Sequence, residues 1–297
     1  MRQAKLAPQQ PAEDDRPFRH YTLKHRIVAW VSQTFFDRVT YTVGHGLLQG
    51  MKRKGGLGWM PESISSRFEH KEQAFWQSLD LSGMVIYDIG AFIGTLTLFF
   101  ATRGSRVISY EPNTRTRTRL VENIRLNALR NVTVRDMALG SQPQTASLVF
   151  IPLMPGGSRI EEETVGQSIS SGAPSSEEIQ ITTLDRDIVD ASLPAPDFIK
   201  IDVEGWEIDV LRGARRTLAA HNPSLFLEMH GETVNEKRRK VAELVDFLEQ
   251  SGYRNIRHVE TGTAITSANS AIAAEGHLYC PAAAGSGAAS RHAGTAV

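Results

Sequence analysis

The most apolar stretch of the chain, residues 83–102, is long enough to raise the question of a membrane span, yet it carries Asp88 near its middle and glycines at 90 and 94. A carboxylate and two flexible residues at that depth argue against a span. A buried strand, a sharp turn and a helix account for the same residues. No other feature of the sequence constrains the fold as much. The strand is expected over 84–87 and the helix over 93–103, with Gly104 as its C-cap. Between them, Asp88, Gly90, Ala91 and Gly94 form a turn whose glycines let the backbone approach a ligand closely, at a helix N-terminus with unpaired N–H groups.

From residue 68 onward, short β-branched runs alternate with longer helical ones, the pattern of a parallel sheet covered by helices on both faces. Helices are expected over 70–79, 114–128, 204–218 and 236–249. Strands are expected over 106–110, 132–134, 146–150, 178–182, 198–201, 224–228, 253–258 and 276–280. Together they make one doubly wound α/β domain. Composition agrees: 41% hydrophobic and 22% charged residues suit a globular chain of 297 residues. The 33 basic and 33 acidic residues cancel, so no general polyanion surface is implied and long nucleic acids are disfavoured as partners. A single cysteine, Cys280, excludes an intrachain disulfide framework and a thiolate zinc cluster, which makes the reducing cytoplasm the default compartment.

Outside that domain, residues 1–20 and 282–297 read as disordered tails, the first without an apolar core fit for a signal peptide. Residues 21–67 read as a helical extension. In it Ile27, Trp30, Val31, Phe35 and Val39 recur at helical spacing, and the face they form is expected to pack on its own domain, a lid or membrane-surface contact being the alternative. Lys52, Arg53 and Lys54, before a glycine pair, read as a solvated loop. The Pro-, Gly- and Ser-rich segment 151–176 is either disordered or a flap over the site.

Glu111 follows Gly90 by 21 residues and stands at the end of the second expected strand, where an acid can accept both hydroxyls of a ribose. A nucleoside-containing ligand follows from the two signals together. The turn is Gly-x-x-x-Gly, not the Gly-x-Gly-x-x-Gly of dinucleotide sites, and there is no phosphate-binding lysine motif, so nicotinamide cofactors and ATP lose ground.

The sequence here resembles the FkbM family of S-adenosylmethionine-dependent methyltransferases. The resemblance rests on residues 87–94 with Thr97, on Tyr110-Glu111-Pro112-Asn113, on Asn123 and Asn127, on Thr183-Leu184-Asp185, and most specifically on residues 198–207, ending in Asp202-Val203-Glu204-Gly205-Trp206-Glu207. It covers about residues 68–281, the expected methyltransferase domain. It implies a Rossmann-like class I methyltransferase fold with a seven-stranded, mostly parallel sheet whose last strand is antiparallel. It also implies methyl transfer to a hydroxyl of a small metabolite or sugar. Carried over, Asp88, Gly90, Ala91 and Gly94 frame the methionine and ribose of S-adenosyl-L-methionine, Glu111 holds the ribose hydroxyls, and Asp136 and Met137 contact the adenine. Glu69 lies in a Phe-Glu step resembling a family element, and a helix N-terminal acid explains it equally well. Where members commonly have Asn in the glycine turn, this chain has Phe92.

Period-two alternation places Lys200 and Asp202 on one face of the 198–201 strand, and a buried lysine requires a partner. A purely structural salt bridge would meet that need. The functional reading adds Glu204, Glu228 and His230, which end or follow neighbouring strands and converge over the cofactor's methyl group. An alcohol attacks only as its proton departs, so a base or an acidifying cation is needed. A metal-free base, His230 or Asp202, is preferred to a magnesium-type ion held by Asp202, Glu228 and His230. The expected function is an S-adenosylmethionine-dependent O-methyltransferase with a small-molecule or glycan acceptor. An amino-group methyltransferase, a nicotinamide-dependent oxidoreductase and an inactive cofactor-binding scaffold are the alternatives.

Overall fold

A computed structural model describes residues 23–56, 67–151, 154–161, 175–231 and 233–282. The expected tails therefore lie outside the described residues, apart from Ala282. In chain order the elements are α1 (Leu23–Phe35), β1 (Thr40–Thr42), β2 (Lys52–Lys54), α2 (Arg67–Ser78), β3 (Val85–Ile89), α3 (Thr95–Ala101), β4 (Arg106–Tyr110) and α4 (Thr114–Leu126). There follow β5 (Val132–Arg135), β6 (Ala138–Leu139), β7 (Gln144–Ile151), β8 (Met154–Glu161), β9 (Ser175–Thr182), α5 (Leu184–Asp190), β10 (Phe198–Ile201), α6 (Glu207–Arg212) and α7 (Arg215–His221). The chain continues with β11 (Ser224–Glu228), α8 (Val234–Gln250), β12 (Ile256–His258), β13 (Ala264–Ile265) and β14 (His277–Cys280).

The main sheet has the order β13-β12-β14-β11-β10-β3-β4-β5. Its five strands from β11 to β5 are parallel, and β14 runs antiparallel to both β11 and β12. These are the seven expected strands with the last antiparallel, plus a two-residue edge strand, β13. Every residue of β3 and β10 is buried, as a central parallel sheet covered on both faces requires. Alternation sorts the side chains. Tyr87, Ile89, Ile199, Ile201, Leu225 and Leu227 pack with α5 to α8, while Ile86, Val107, Phe198 and Phe226 pack with α2, α3 and α4. Trp76 of α2 centres the second layer, its rings 4.2 Å from Phe226 and 5.2 Å from Phe100, with its indole N–H donated to Glu72.

A second sheet, β6-β9-β7-β8, branches off after β5. Residues 154–161, expected to be disordered or a flap, pair antiparallel with β7. The rest of that segment, 162–174, lies outside the described residues. No helix among the described residues is long and apolar enough to cross a membrane.

Four local expectations are corrected. The helix over 204–218 is two helices, because the Asp185 carboxylate accepts the N–H groups of Arg216 and Thr217 and so caps a new N-terminus there. Helix α3 ends at Thr102, not at Gly104. The 51–56 loop contains β2, paired with β1, whose Lys52 and Lys54 N–H groups are taken by the Asn127 and Asn123 side chains of α4. The apolar face of α1 does not pack on the domain. Polar contacts on its other side, Ser32 to the Gly56 carbonyl and Gln33 to Arg115, fix the helix so that Ile27, Trp30 and Phe35 are 53%, 53% and 64% exposed.

Because Trp76 is fully buried among aromatic rings, Trp76→Ala is expected to destabilise the protein by about 3–5 kcal/mol in urea unfolding. A loss below about 1 kcal/mol would mean that the layer under α2 does not hold the fold.

Candidate active site

The carboxyl ends of the parallel strands carry the site. After β3 the backbone turns at Gly90, and the Gly90 and Ala91 N–H groups both reach the Tyr110 carbonyl at the end of β4. Gly90 has φ +79°, and a Cβ there would be driven into the carbonyl oxygen of Asp202. The glycine thus permits both the left-handed turn and the contact between two strand ends. Gly94 also has a positive φ, and a Cβ on it would lie 2.5 Å from Leu120 of α4. Its requirement is helix packing, and it lines neither of the two cavities described below.

Glu111 is 7% exposed and accepts the Phe92 N–H at 2.8 Å through one oxygen and the Asn113 N–H at 3.0 Å through the other. Burial raises its pKa to about 7, against hydrogen bonds from Thr116, Asn113 and Phe92 that lower it. The turn and the acid are therefore one hydrogen-bonded unit.

Lys200 and Asp88 are register partners on adjacent strands. The lysine ammonium lies 3.4 Å from Asp88 Oδ1 and 3.3 Å from Asp202 Oδ2, and it donates to the Gly90 carbonyl at 2.8 Å. Burial disfavours its charge, but Asp202 and Asp88 more than reverse that and raise its pKa. The structural salt bridge is thus present, and it ties the glycine turn to Asp202. Asp88 Oδ2 accepts from Thr97 at 2.5 Å, which explains the threonine in the motif.

His230 stands among carboxylates. Its Nδ1 is 2.9 Å from Glu207 Oε1, and its Nε2 lies 3.4 Å from Glu228, 3.6 Å from Asp202 and 3.6 Å from Glu204. Burial opposes protonation of the ring, yet Glu207 and Glu228 raise its pKa well above the ordinary histidine value. Burial also raises Asp202, whereas hydrogen bonds from His230 and His277 outweigh burial at Glu228 and hold it far below the carboxylate range. Asp202, Glu228 and His230 each bring a ligand atom within 4.8 Å of the others, a spacing open to a divalent cation.

A cavity of about 330 Å³ joins these groups: Gly90, Glu111 and Met137 line it together with Asp202, Glu204, Glu228 and His230. All four expected catalytic residues therefore meet. A second cavity of about 510 Å³ shares Gly90, Phe92 and Asp202 with the first and is lined by Asp88 and Ala91. Asp136 is exposed and lines neither, its side chain being the outward one beside Met137. The side chain of Glu69 lies outside the described residues.

Sequence reading missed Glu207, which positions His230, and Trp206, whose buried Nε1 has no hydrogen-bond partner and lines the first cavity. It also missed Ser158 and Ile160 of β8, which wall that cavity. The Asp-Val-Glu-Gly-Trp-Glu run was the available signal for the first two. For β8 there was none, since its Pro and Gly content suggests a loop.

An open, mostly parallel sheet of this strand order, with a glycine turn after its central strand and a buried acid after the next, is the class I methyltransferase fold. The chain belongs to the family of the methyltransferase FkbM domain, whose model matches residues 88–255, more than half of the chain. It is similar to Methyltransferase 1 of Beauveria bassiana, 29% identical over an alignment of 168 residues that covers 50% of this chain and 68% of the relative. It is also similar to the hexuronic acid methyltransferase AglP of Haloferax volcanii, 27% identical over 146 residues, 49% of this chain and 56% of the relative. The crystal structure of methyltransferase FkbM from Methylobacillus flagellatus aligns with a TM-score of 0.44 and 21% identity, over 69% of this chain and 45% of that one. The chain thus spans little more than half of the AglP length and less than half of that solved chain.

Behind Glu228, His277 lies 2.5 Å from Glu260 Oε1 and 3.7 Å from Glu228 Oε2. Burial lowers its pKa, but these two carboxylates prevail and raise it to about 10. A raised folded-state pKa means that the folded protein holds this proton more tightly. Its contribution is full below about 6.5, the unfolded value, and is lost as pH rises toward about 10. The melting temperature is expected to fall across that window, and His277→Gln to make the fall shallower. An unchanged slope would remove the ion pair from the stability of the sheet edge.

Proposed function

We propose that the protein is an S-adenosylmethionine-dependent O-methyltransferase that modifies a hydroxyl group of a small metabolite or sugar. The observation that carries this reading is the shared cavity, in which the nucleoside-suited wall of Gly90, Glu111 and Met137 faces the acid and imidazole cluster of Asp202, Glu204, Glu228 and His230. Family membership supports methyl transfer, and the relative named for hexuronic acid supports a sugar acceptor. Residues 68–281 form the proposed catalytic unit, with 21–67 as an extension whose Val43, Leu48 and Arg53 line the second cavity.

The residues present suit the donor: Gly90 lines the cavity with bare main chain, Trp206 presents an orphaned donor, and Glu111 keeps lone pairs for hydroxyl groups. When bound, S-adenosylmethionine supplies a methyl group activated by a sulfonium sulfur. Glu111 and Met137 hold the adenosine. The carboxylates around His230 give the cavity a negative potential suited to a sulfonium. The acceptor's proton passes to the Asp202 carboxylate, and the His230 ring, kept protonated by Glu207 and Glu228, lies 3.6 Å from that carboxylate and steadies its charge. Glu207 and Glu228 orient the ring. The remaining acceleration comes from alignment of acceptor oxygen, methyl carbon and sulfur.

Glu111→Ala is expected to weaken binding of S-adenosylhomocysteine by about 1.5–3 kcal/mol in calorimetry, the worth of hydrogen bonds to a charged group. Unchanged affinity in a folded variant would remove Glu111 from the site. With an acceptor found by screening hydroxylated sugars and uronic acids against labelled donor, Asp202→Ala and His230→Ala are expected to cut turnover by roughly 10²–10⁴ while donor affinity changes little. Wild-type turnover in both variants would make the cluster structural. The spacing of Asp202, Glu228 and His230 favours one second reading, a divalent cation that acidifies the acceptor. Under it, a chelator abolishes turnover and magnesium restores it.

A further inference from the structure

Helix α1 turns its apolar side to solvent. Ile27, Trp30, Phe35, Phe36 and Val39 are five of the seven large hydrophobic side chains exposed among the described residues, so apolar exposure is gathered on one segment and not scattered. Trp30 and Phe35 meet edge to face with ring centroids 6.1 Å apart, which makes part of this surface continuous. The other side of the helix is occupied. Ser32 is buried and donates to the Gly56 carbonyl, and Gln33 accepts from Arg115 of α4. Turning the helix to bury its apolar face would break both contacts, so the fold itself presents that face outward.

Charge decides what the face meets. In a chain whose charges cancel overall, residues 23–56 hold Lys24, Arg26, Arg38, Lys52, Arg53 and Lys54 against a single acid, Asp37. Helix α4, which touches α1, adds Arg115, Arg117, Arg119 and Arg125 against Glu122. Both acids lie against one arginine, Arg119, at 2.7 Å and 3.1 Å. Arg38, Lys52, Arg115 and Arg125 are exposed, and Arg38 falls between Phe36 and Val39 in the chain. An apolar strip with Trp and Phe beside such cations is the make-up of a helix that lies at the boundary of lipid headgroups and acyl chains. Apolar insertion and attraction to anionic headgroups then act together. At 13 residues α1 is too short to cross a bilayer. A second copy of the chain fits less well, since two-fold pairing through this face would set the same cations against each other across the seam.

We propose that α1 docks the protein on the surface of a bilayer containing anionic phospholipid, with Ile27, Trp30 and Phe35 inserted among the lipids and Arg38, Lys52 and Arg115 against the headgroups. This goes beyond the reaction proposed above and does not depend on it. It gives the segment before the family-matched residues a role of its own, that of holding the domain at a membrane surface.

The test is sedimentation of the full chain with vesicles of phosphatidylcholine, alone or mixed with phosphatidylserine, read beside tryptophan emission. The wild type is expected to bind the mixed vesicles about 10-fold or more tightly than the neutral ones, with binding falling as salt rises. Trp30→Ser combined with Phe35→Ser should weaken binding by about 100-fold. Both side chains are exposed, so this variant should melt as the wild type does. Arg38→Glu combined with Lys52→Glu should weaken binding by about 10-fold and keeps the test independent of the apolar pair. Emission should shift to the blue on binding, and Trp30→Phe should keep the binding but lose most of the shift. Failure to bind the mixed vesicles overturns the inference. So does equal binding to both kinds of vesicle, or binding that survives loss of Trp30 and Phe35. A dimer that the same double variant dissociates, without any vesicle binding, overturns it in favour of a second copy on this face.

Discussion

The site depends on one buried ammonium. Lys200 sits within the central sheet, where an unpaired charge would be prohibitive, and Asp88 and Asp202 make it tolerable from two strand ends. The same group donates to the Gly90 carbonyl, so the glycine turn, β3 and the start of the loop after β10 are held by a single side chain. Removing one member would leave an uncompensated buried charge, a loss of about 3–5 kcal/mol in comparable clusters. A salt bridge that looks merely structural is therefore what sets the distance between the glycine turn and the cluster of Asp202, Glu204, Glu228 and His230.

From Asp202 outward the charge alternates. Glu207 and Glu228 flank His230, Glu228 and Glu260 flank His277, and His258 lies 2.9 Å from Glu260. Each imidazole is stabilised in its charged form by the carboxylates on either side, so a run of acids that would repel one another coexists at the carboxyl edge. The arrangement holds the carboxylates of Asp202, Glu204 and Glu228 against the first cavity. It also fixes the ring of His230 from behind, leaving Nε2 turned toward Asp202 and Glu204.

The main sheet was legible because its signals are local and repeated: strand-length apolar runs, helices with one apolar face, and a glycine turn followed at the right interval by an acid. Asp202, Glu204, Glu228 and His230 were legible as a cluster because parallel strands deliver their carboxyl ends to one edge. What failed depends on contacts distant in sequence. The strand at Lys52–Lys54 is held by Asn123 and Asn127, about seventy residues away, so nothing in the Lys-Arg-Lys run itself distinguishes it from a loop. The break after α6 comes from Asp185, and β8 is ordered by pairing with β7. The periodicity of α1 was read correctly and its direction was not, since polar contacts to Gly56 and Arg115 decide which side faces the domain.

Phe92 bears on whether the site retains a function. It replaces a polar residue common at this position, and its φ of +51° is a left-handed conformation that asparagine adopts more readily than phenylalanine, at a cost of about 1–2 kcal/mol. The strain persists because the backbone N–H is engaged by Glu111, and a buried carboxylate deprived of that donor would cost more. The constraint at this position therefore lies on the main chain, which phenylalanine supplies as well as asparagine does. Phe92 lines both cavities and stands where they adjoin. Phenylalanine at this position therefore removes a side-chain amide from the opening and leaves intact the main-chain frame that joins the glycine turn to the buried acid.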